Sequence, residues 1–157
     1  MSDATFACPD LTTFCRLDEL GLAVIGQRLD PDRAVLACRV VEPDQWCRRC
    51  GCEGVARDTV IRRLAHEPLG WRPTTLEVTL RRYRCAGCGH VWRQDTSRAA
   101  EPRARLSRRG LRWVLEGING RLEHLRGSAL GFRNLTNYIA RSLLESGGFR
   151  PRVHPRL

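Results

Sequence analysis

With 157 residues, 42% of them hydrophobic, the chain has room for one ordinary domain or two small ones, and no stretch approaches the roughly 18 consecutive apolar residues of a membrane span. The net charge is +10 and unevenly spread: residues 1–46 hold four Arg against eight Asp/Glu (−4), residues 47–157 hold 23 Arg against nine Asp/Glu (+14). All 27 basic residues are arginine, whose planar fork suits phosphate oxygens and guanine edges, so the basic half points toward nucleic acid.

The first residues, Met1 to Leu11, are acidic and lack an apolar run, so no signal peptide is expected and a cytoplasmic location follows. Leu20–Leu29 and Ala34–Val41 read as strands joined by the turn residues Asp30-Pro-Asp-Arg33, a predicted hairpin. Cys8, Cys15 and Cys38 lack metal-ligand spacing and read as ordinary thiols.

The strongest chemical signal comes next. Cys47-Arg-Arg-Cys50-Gly51 and Cys85-Ala-Gly-Cys88-Gly89 are two C-x-x-C-G knuckles, each of which turns two sulfurs toward one point. Two knuckles supply the closed four-thiolate shell of structural zinc, so Cys47, Cys50, Cys85 and Cys88 are the predicted ligands of Zn²⁺. A disulfide framework is the weaker reading, because four of the eight cysteines stand in C-x-x-C pairs and no export signal precedes them. Cys52 reads as a neighbouring thiol, since the C-x-x-C spacing favours Cys50 as ligand.

Between the knuckles, Val55–Leu64 and Thr74–Tyr83 read as two more strands, connected by Pro68–Pro73. The second alternates Leu76, Val78 and Leu80 with Thr75, Glu77, Thr79 and Arg81, the pattern of a half-buried strand. Trp46, Trp71, Tyr83 and Trp92 are expected to pack the core of this ribbon, with base stacking as the alternative.

Arg93–Arg105, with Pro102, reads as a polar linker. Ser107 is a predicted N-cap, followed by Leu111, Val114, Leu115, Ile118, Leu122 and Leu125 on one helical face, and Gly127 as the stop. A second helix is predicted from Asn134 to about Glu145, and the tail from Phe149 is expected to be disordered. The expected fold class is therefore α+β: a β-hairpin region (1–46), a zinc ribbon (47–92), a linker (93–105), two or three C-terminal helices (106–147) and a tail (148–157).

Three stretches together resemble insertion-sequence transposases of the ISL-three family. They are the ribbon from Trp46-Cys-Arg-Arg-Cys-Gly51 to Arg82-Tyr-Arg-Cys-Ala-Gly-Cys-Gly-His-Val-Trp92, the basic lead Arg105-Leu-Ser-Arg-Arg-Gly-Leu-Arg-Trp113, and Glu116-Gly-Ile-Asn-Gly-Arg-Leu-Glu-His-Leu-Arg126 with Gly131-Phe-Arg-Asn134. In that family the ribbon and a helix-turn-helix begin the protein, and the E-x-x-N segment closes a ribonuclease-H-like catalytic domain. The resemblance thus implies the two ends of a longer protein joined by an internal deletion. It also implies a catalytic trio of two Asp and one Glu holding two divalent cations. Glu116 falls where the third acid lies, but only 27 residues separate Cys88 from Glu116 and Asp95 is the sole aspartate among them, so the catalytic core is read as missing.

The expectation is a truncated transposase that binds DNA, with transposon terminal repeats as the suspected partner, without strand-transfer activity. Association with itself or with an intact transposase is a further expectation. The residues expected to engage DNA are Arg48, Arg49, Arg81, Arg82, Arg84, Arg108, Arg109 and Arg112. A zinc-ribbon adaptor that binds protein is one alternative. A rubredoxin-like iron carrier is the other, disfavoured by the +14 charge of the half that holds the thiols.

Overall fold

The computed structural model describes residues 10–128, together with Ile139 and Leu143. Cys8, the tail, and the predicted second helix apart from Ile139 and Leu143 lie outside the described residues. The fold is mixed α/β and mostly strand. Strand β1 (Leu22–Leu29) pairs antiparallel with β2 (Ala34–Val40), β3 (Gly54–Leu69) pairs antiparallel with β4 (Arg72–Cys85), and β5 (Val91–Arg93) adds to β4. A short helix α1 (Leu11–Phe14) and a 3₁₀ turn (Asp18–Leu20) precede β1, and α2 (Arg108–Ser128) follows β5.

Each strand pair turns where the local residues allow. After β1, the Asp30 N–H donates to the Arg33 carbonyl at 2.9 Å, closing the Asp-Pro-Asp-Arg turn. Between β3 and β4 only Gly70 and Trp71 intervene, and Gly70 takes the left-handed φ of +63° that a tight two-residue connection requires. That turn is shorter than the Pro68–Pro73 connection the sequence suggests, because both strands run through the prolines.

The two pairs do not stand apart. β2 pairs in parallel with β4, from Ala34 opposite Thr74 to Arg39 opposite Thr79, giving one five-stranded sheet in the order β1-β2-β4-β3 with β5 on β4. The expected division into a hairpin region and a separate ribbon region is thus crossed by continuous hydrogen bonding.

One face of this sheet carries the core. Leu36, Cys38, Leu64, Leu76, Val78 and Leu80 are buried, covered by Cys15, Leu17 and Leu20 from the N-terminal turns and by Ala99 and Ala100. Full burial of a leucine or valine stabilises by about 1.5–3 kcal/mol relative to exposure, so this alternating face is the main source of the fold's stability. The cysteines among these residues behave as small apolar groups: burial pushes the Cys38 thiol up to about 12 and raises that of Cys15.

The segment read as a linker belongs to this core. Ala99 and Ala100 are buried in it, the Ala65 N–H donates to the Arg105 carbonyl at 2.8 Å, and the Ser107 N–H returns to the Ala65 carbonyl at 2.9 Å. The clamp is Arg62, on the core-facing side of β3. Its guanidinium donates to Thr96 Oγ1 (2.7 Å) and to the carbonyls of Glu101 (2.7 Å) and Ala104 (3.0 Å). An arginine in a strand and two alanines in a polar run give no periodic signal, which is why the segment reads as a linker.

Ser107 caps α2 as predicted: its Oγ accepts the Gly110 N–H at 2.9 Å and its carbonyl accepts the Leu111 N–H at 2.8 Å. Gly110 has a packing reason, since a Cβ there would lie 2.8 Å from the Ala65 carbonyl oxygen. The chain divides into two compact units, Met1–Leu111 and Arg112–Leu157. In the second, Val114, Ile118 and Leu122 are half-buried at four-residue spacing, and Trp113 and Leu115 are about half exposed.

Candidate metal centre

The two knuckles fold identically in their backbone bonding. In the first, the Gly51 N–H donates to the Cys47 carbonyl (2.8 Å) and the Cys47 N–H to the Cys52 carbonyl (3.0 Å). In the second, the Gly89 N–H donates to the Cys85 carbonyl (3.2 Å) and the Cys85 N–H to the His90 carbonyl (2.8 Å). Gly51 and Gly89 close these loops at φ of +73° and +70°, where a side chain would be strained. One knuckle leads into β3 and the other ends β4, so the β3–β4 ladder, which pairs Gly54 with Cys85, brings them face to face.

The result is a cluster of four thiols, Cys47, Cys50, Cys85 and Cys88, whose sulfurs all lie within 4.8 Å of one another. The close pairs run across the knuckles: Cys47 to Cys88 at 3.7 Å and Cys50 to Cys85 at 3.3 Å. A tetrahedral ion with metal–sulfur bonds of about 2.3 Å needs sulfurs about 3.8 Å apart, whereas a disulfide needs about 2.05 Å. The spacing fits a metal ion at the centre.

Electrostatics agree. The Cys88 N–H reaches Cys85 Sγ at 3.4 Å, and this hydrogen bond outweighs burial to draw the Cys85 thiol down to about 6. At Cys47 burial acts upward, but the amides of Arg49 and Cys50 overcome it and the thiol is lowered. At Cys50 the amide of Cys52 acts downward, but hydrogen bonds shared with the thiols of Cys85 and Cys88 win and raise it. Four sulfurs this close cannot all ionise unless a cation sits among them. The cluster can hold a metal ion.

Cys52 stands outside the four. Its exposed sulfur packs over Gly87, 3.0 Å from where a Cβ would sit, while Cys50 is the one of the two that lies in the cluster. Behind the cluster Tyr83 is buried and stacks on Trp92 at 5.7 Å, and Trp92 stacks on His90 at 5.9 Å. The Trp92 indole N–H donates to the Asp44 carbonyl at 2.7 Å and the ring covers Gly54, where any side chain would collide with it. Trp46 and Trp71 do not join this packing; Trp46 is 60% exposed and Trp71 fully so, because each sits on an edge or turn with no layer above it.

The arginines named from the sequence fall into two groups. Arg82 pairs with Asp58, Arg108 with Glu101 at 2.6 Å, and Arg48 with Asp44 at 3.4 Å. Arg109 is held between Glu67 (2.7 Å) and Glu19 (3.1 Å), mostly buried, so its charge is spent inside the fold. Arg49, Arg81, Arg84 and Arg112 are exposed and make no ion pair among the described residues. The sequence does not separate the groups: Glu19, Asp58 and Glu67 lie far along the chain or across a strand pair from their arginines, and the nearer Asp44 and Glu101 sit in irregular segments with no periodic signal.

Glu116 is exposed on α2. Asp95 accepts the Ser97 N–H at 2.9 Å and lies 3.9 Å from Arg48. No helix among the described residues is long and apolar enough to cross a membrane. Comparison of the chain with protein families, with characterised proteins and with solved structures finds no match. The fold and site therefore define a mixed α/β protein carrying a four-cysteine cluster able to hold a metal ion.

Proposed function

We propose that this chain is a zinc-ribbon DNA-binding protein derived from an insertion-sequence transposase resembling the ISL-three family, keeping the DNA-engaging part and lacking the catalytic core. The observation that carries the reading is the four-thiol cluster at an arginine-rich end of the sheet, where Arg49 and Arg84 are exposed without carboxylate partners among the described residues. A closed thiolate shell is a structural metal site, holding the two loops that present those guanidinium groups. Zinc is favoured over iron because the surroundings are strongly basic.

Phosphate contacts position a protein on DNA while base contacts select the site. The arginines offer the first kind of contact, so binding is weak, salt-dependent and modestly selective for transposon ends. With Arg49, Arg81, Arg84 and Arg112 engaged, log K falls with log salt at a slope of about −4, and each further arginine engaged steepens it by about 1. The test is metal analysis of the purified protein followed by anisotropy titration of terminal-repeat and scrambled duplexes across a range of salt. Colourless protein with one zinc per chain and salt-sensitive binding supports the reading. Red protein identifies an iron site, and no binding even at low salt favours a protein-binding adaptor.

A further inference from the structure

A second basic feature lies on the core-bearing side of the sheet, away from the exposed face of β2 and β4. It is an open cleft of about 630 Å³ between β3, β5 and the segment that follows β5. Four arginines from four different segments line it: Arg48 from the first knuckle, Arg62 from β3, Arg93 from β5 and Arg103 beyond Pro102. One carboxylate, Asp95, stands among them. Arg93 and Arg103 are exposed, and neither is among the arginines that the sequence assigns to DNA.

Two details make this more than a charged surface. Arg62 is half-buried and its hydrogen bonds go to a hydroxyl and two carbonyls, so no carboxylate among the described residues pairs with it. It is a fixed cation beneath the cleft. Arg103 sits at φ +63°, a left-handed conformation that non-glycine residues rarely adopt and that is commonly retained where side-chain placement matters. In a concave site with low-dielectric walls, such unneutralised charges focus their field on an entering anion. Thr96 adds a hydroxyl to the lining.

We infer that this cleft binds the phosphodiester backbone of a nucleic-acid strand, with Arg93 and Arg103 contacting phosphate oxygens and Arg62 supplying fixed positive charge. The inference rests on the DNA-binding reading and adds to it the surface along which the strand runs.

The experiment uses the full zinc-loaded chain and a labelled duplex, titrated by anisotropy from low to moderate salt. Three proteins are compared: the natural sequence, an Arg93→Gln/Arg103→Gly variant, and an Arg28→Gln/Arg39→Gln variant that removes equal charge from the other face of the sheet. The cleft variant should lose roughly tenfold or more in affinity and about 2 in the salt slope, the other variant no more than about threefold. Glycine relieves the left-handed backbone at position 103, so the cleft variant should equal or exceed the natural protein in thermal stability, which separates lost contacts from lost fold. Equal loss in both variants, or none in the cleft variant, overturns the inference while leaving the DNA reading standing. No binding by the natural sequence at any salt sinks both. Displacement of the duplex by millimolar inorganic phosphate at matched ionic strength would show a free-phosphate pocket instead of a strand-binding cleft.

Discussion

His66 and Ser107 share one hydrogen bond, Nδ1 to Oγ at 2.8 Å, that joins β3 to the cap of α2 inside the fold. Ser107 Oγ also accepts the Gly110 N–H at 2.9 Å, so a single oxygen ties the imidazole of β3 to the first turn of α2. The other ring nitrogen, Nε2, is buried without a hydrogen-bond partner among the described residues, 3.9 Å from Glu67. Replacing Ser107 by alanine removes the cap and leaves both imidazole nitrogens unpaired, an expected loss of about 2–4 kcal/mol. Urea unfolding of Ser107→Ala checks this; a loss under about 0.5 kcal/mol would mean the shared oxygen contributes little.

The same histidine makes stability depend on pH. Burial holds its basicity below the ordinary value of 6.5; Glu67 opposes this, Arg109 adds to it, and the backbone of Cys15 opposes it. A histidine lowered in the folded state takes up its proton first in the unfolded chain. Its contribution is therefore complete above about pH 6.5 and is lost as pH falls toward the folded value, at up to about 1.4 kcal/mol per pH unit. Unfolding midpoints measured from neutral to mildly acidic pH should fall more steeply for the natural protein than for His66→Gln. Acid release of metal acts on both proteins alike, so the difference between them isolates the imidazole. Parallel curves would show that burial of His66 has no such effect.

Metal binding should be coupled to the order of the knuckles. Cys85→Ser removes the sulfur that accepts the Cys88 N–H, and bound zinc should drop from one per chain to near zero. Apparent binding energies of such sites are on the order of 10–16 kcal/mol near neutral pH, so chelation of the natural protein should lower its melting temperature sharply. Full retention of zinc by Cys85→Ser would disprove the ligand assignment.

Arg62 is expected to matter more than its place in a strand suggests. Arg62→Met keeps much of the side chain's length while deleting three hydrogen bonds to the segment from Thr96 to Ala104. The segment should become open to proteolysis, and stability should fall by about 2–3 kcal/mol. Proteolytic resistance equal to that of the natural chain would show that the buried Ala99 and Ala100 hold the segment alone.

Incubation with transposon-end duplexes and Mg²⁺ or Mn²⁺ should give no nicking or joining, since two-metal chemistry needs several convergent carboxylates. Metal-dependent cleavage abolished by Glu116→Gln would refute the proposal that the catalytic core is lost.

Much of the local order was legible in the sequence. Alternation in Leu76, Val78 and Leu80 gave β4 its buried face, the Asp-Pro-Asp-Arg turn placed β1 and β2, Ser107 marked the start of α2, and knuckle spacing named the four clustered cysteines. Each is a signal confined to a few consecutive residues. What escaped depends on residues far apart. The parallel pairing of β2 with β4 leaves no local trace, and Arg62 reads as surface until Thr96, Glu101 and Ala104 are folded against it. Arg109 likewise reads as a free cation until Glu19 and Glu67 converge on it.

The parallel contact between β2 and β4 also sets an order of assembly. Ala34 meets Thr74 only after the intervening chain, including all of β3, has been made, so β2 leaves the ribosome with one edge bare. The β3–β4 ladder, a contiguous hairpin, can close first and present the edge on which β2 then docks. A fragment cut to residues 47–92 would keep all four clustered thiols yet expose the edge of β4 from Thr74 to Thr79 that β2 covers. Such an edge templates pairing between chains, so the excised fragment should self-associate more strongly than the full chain.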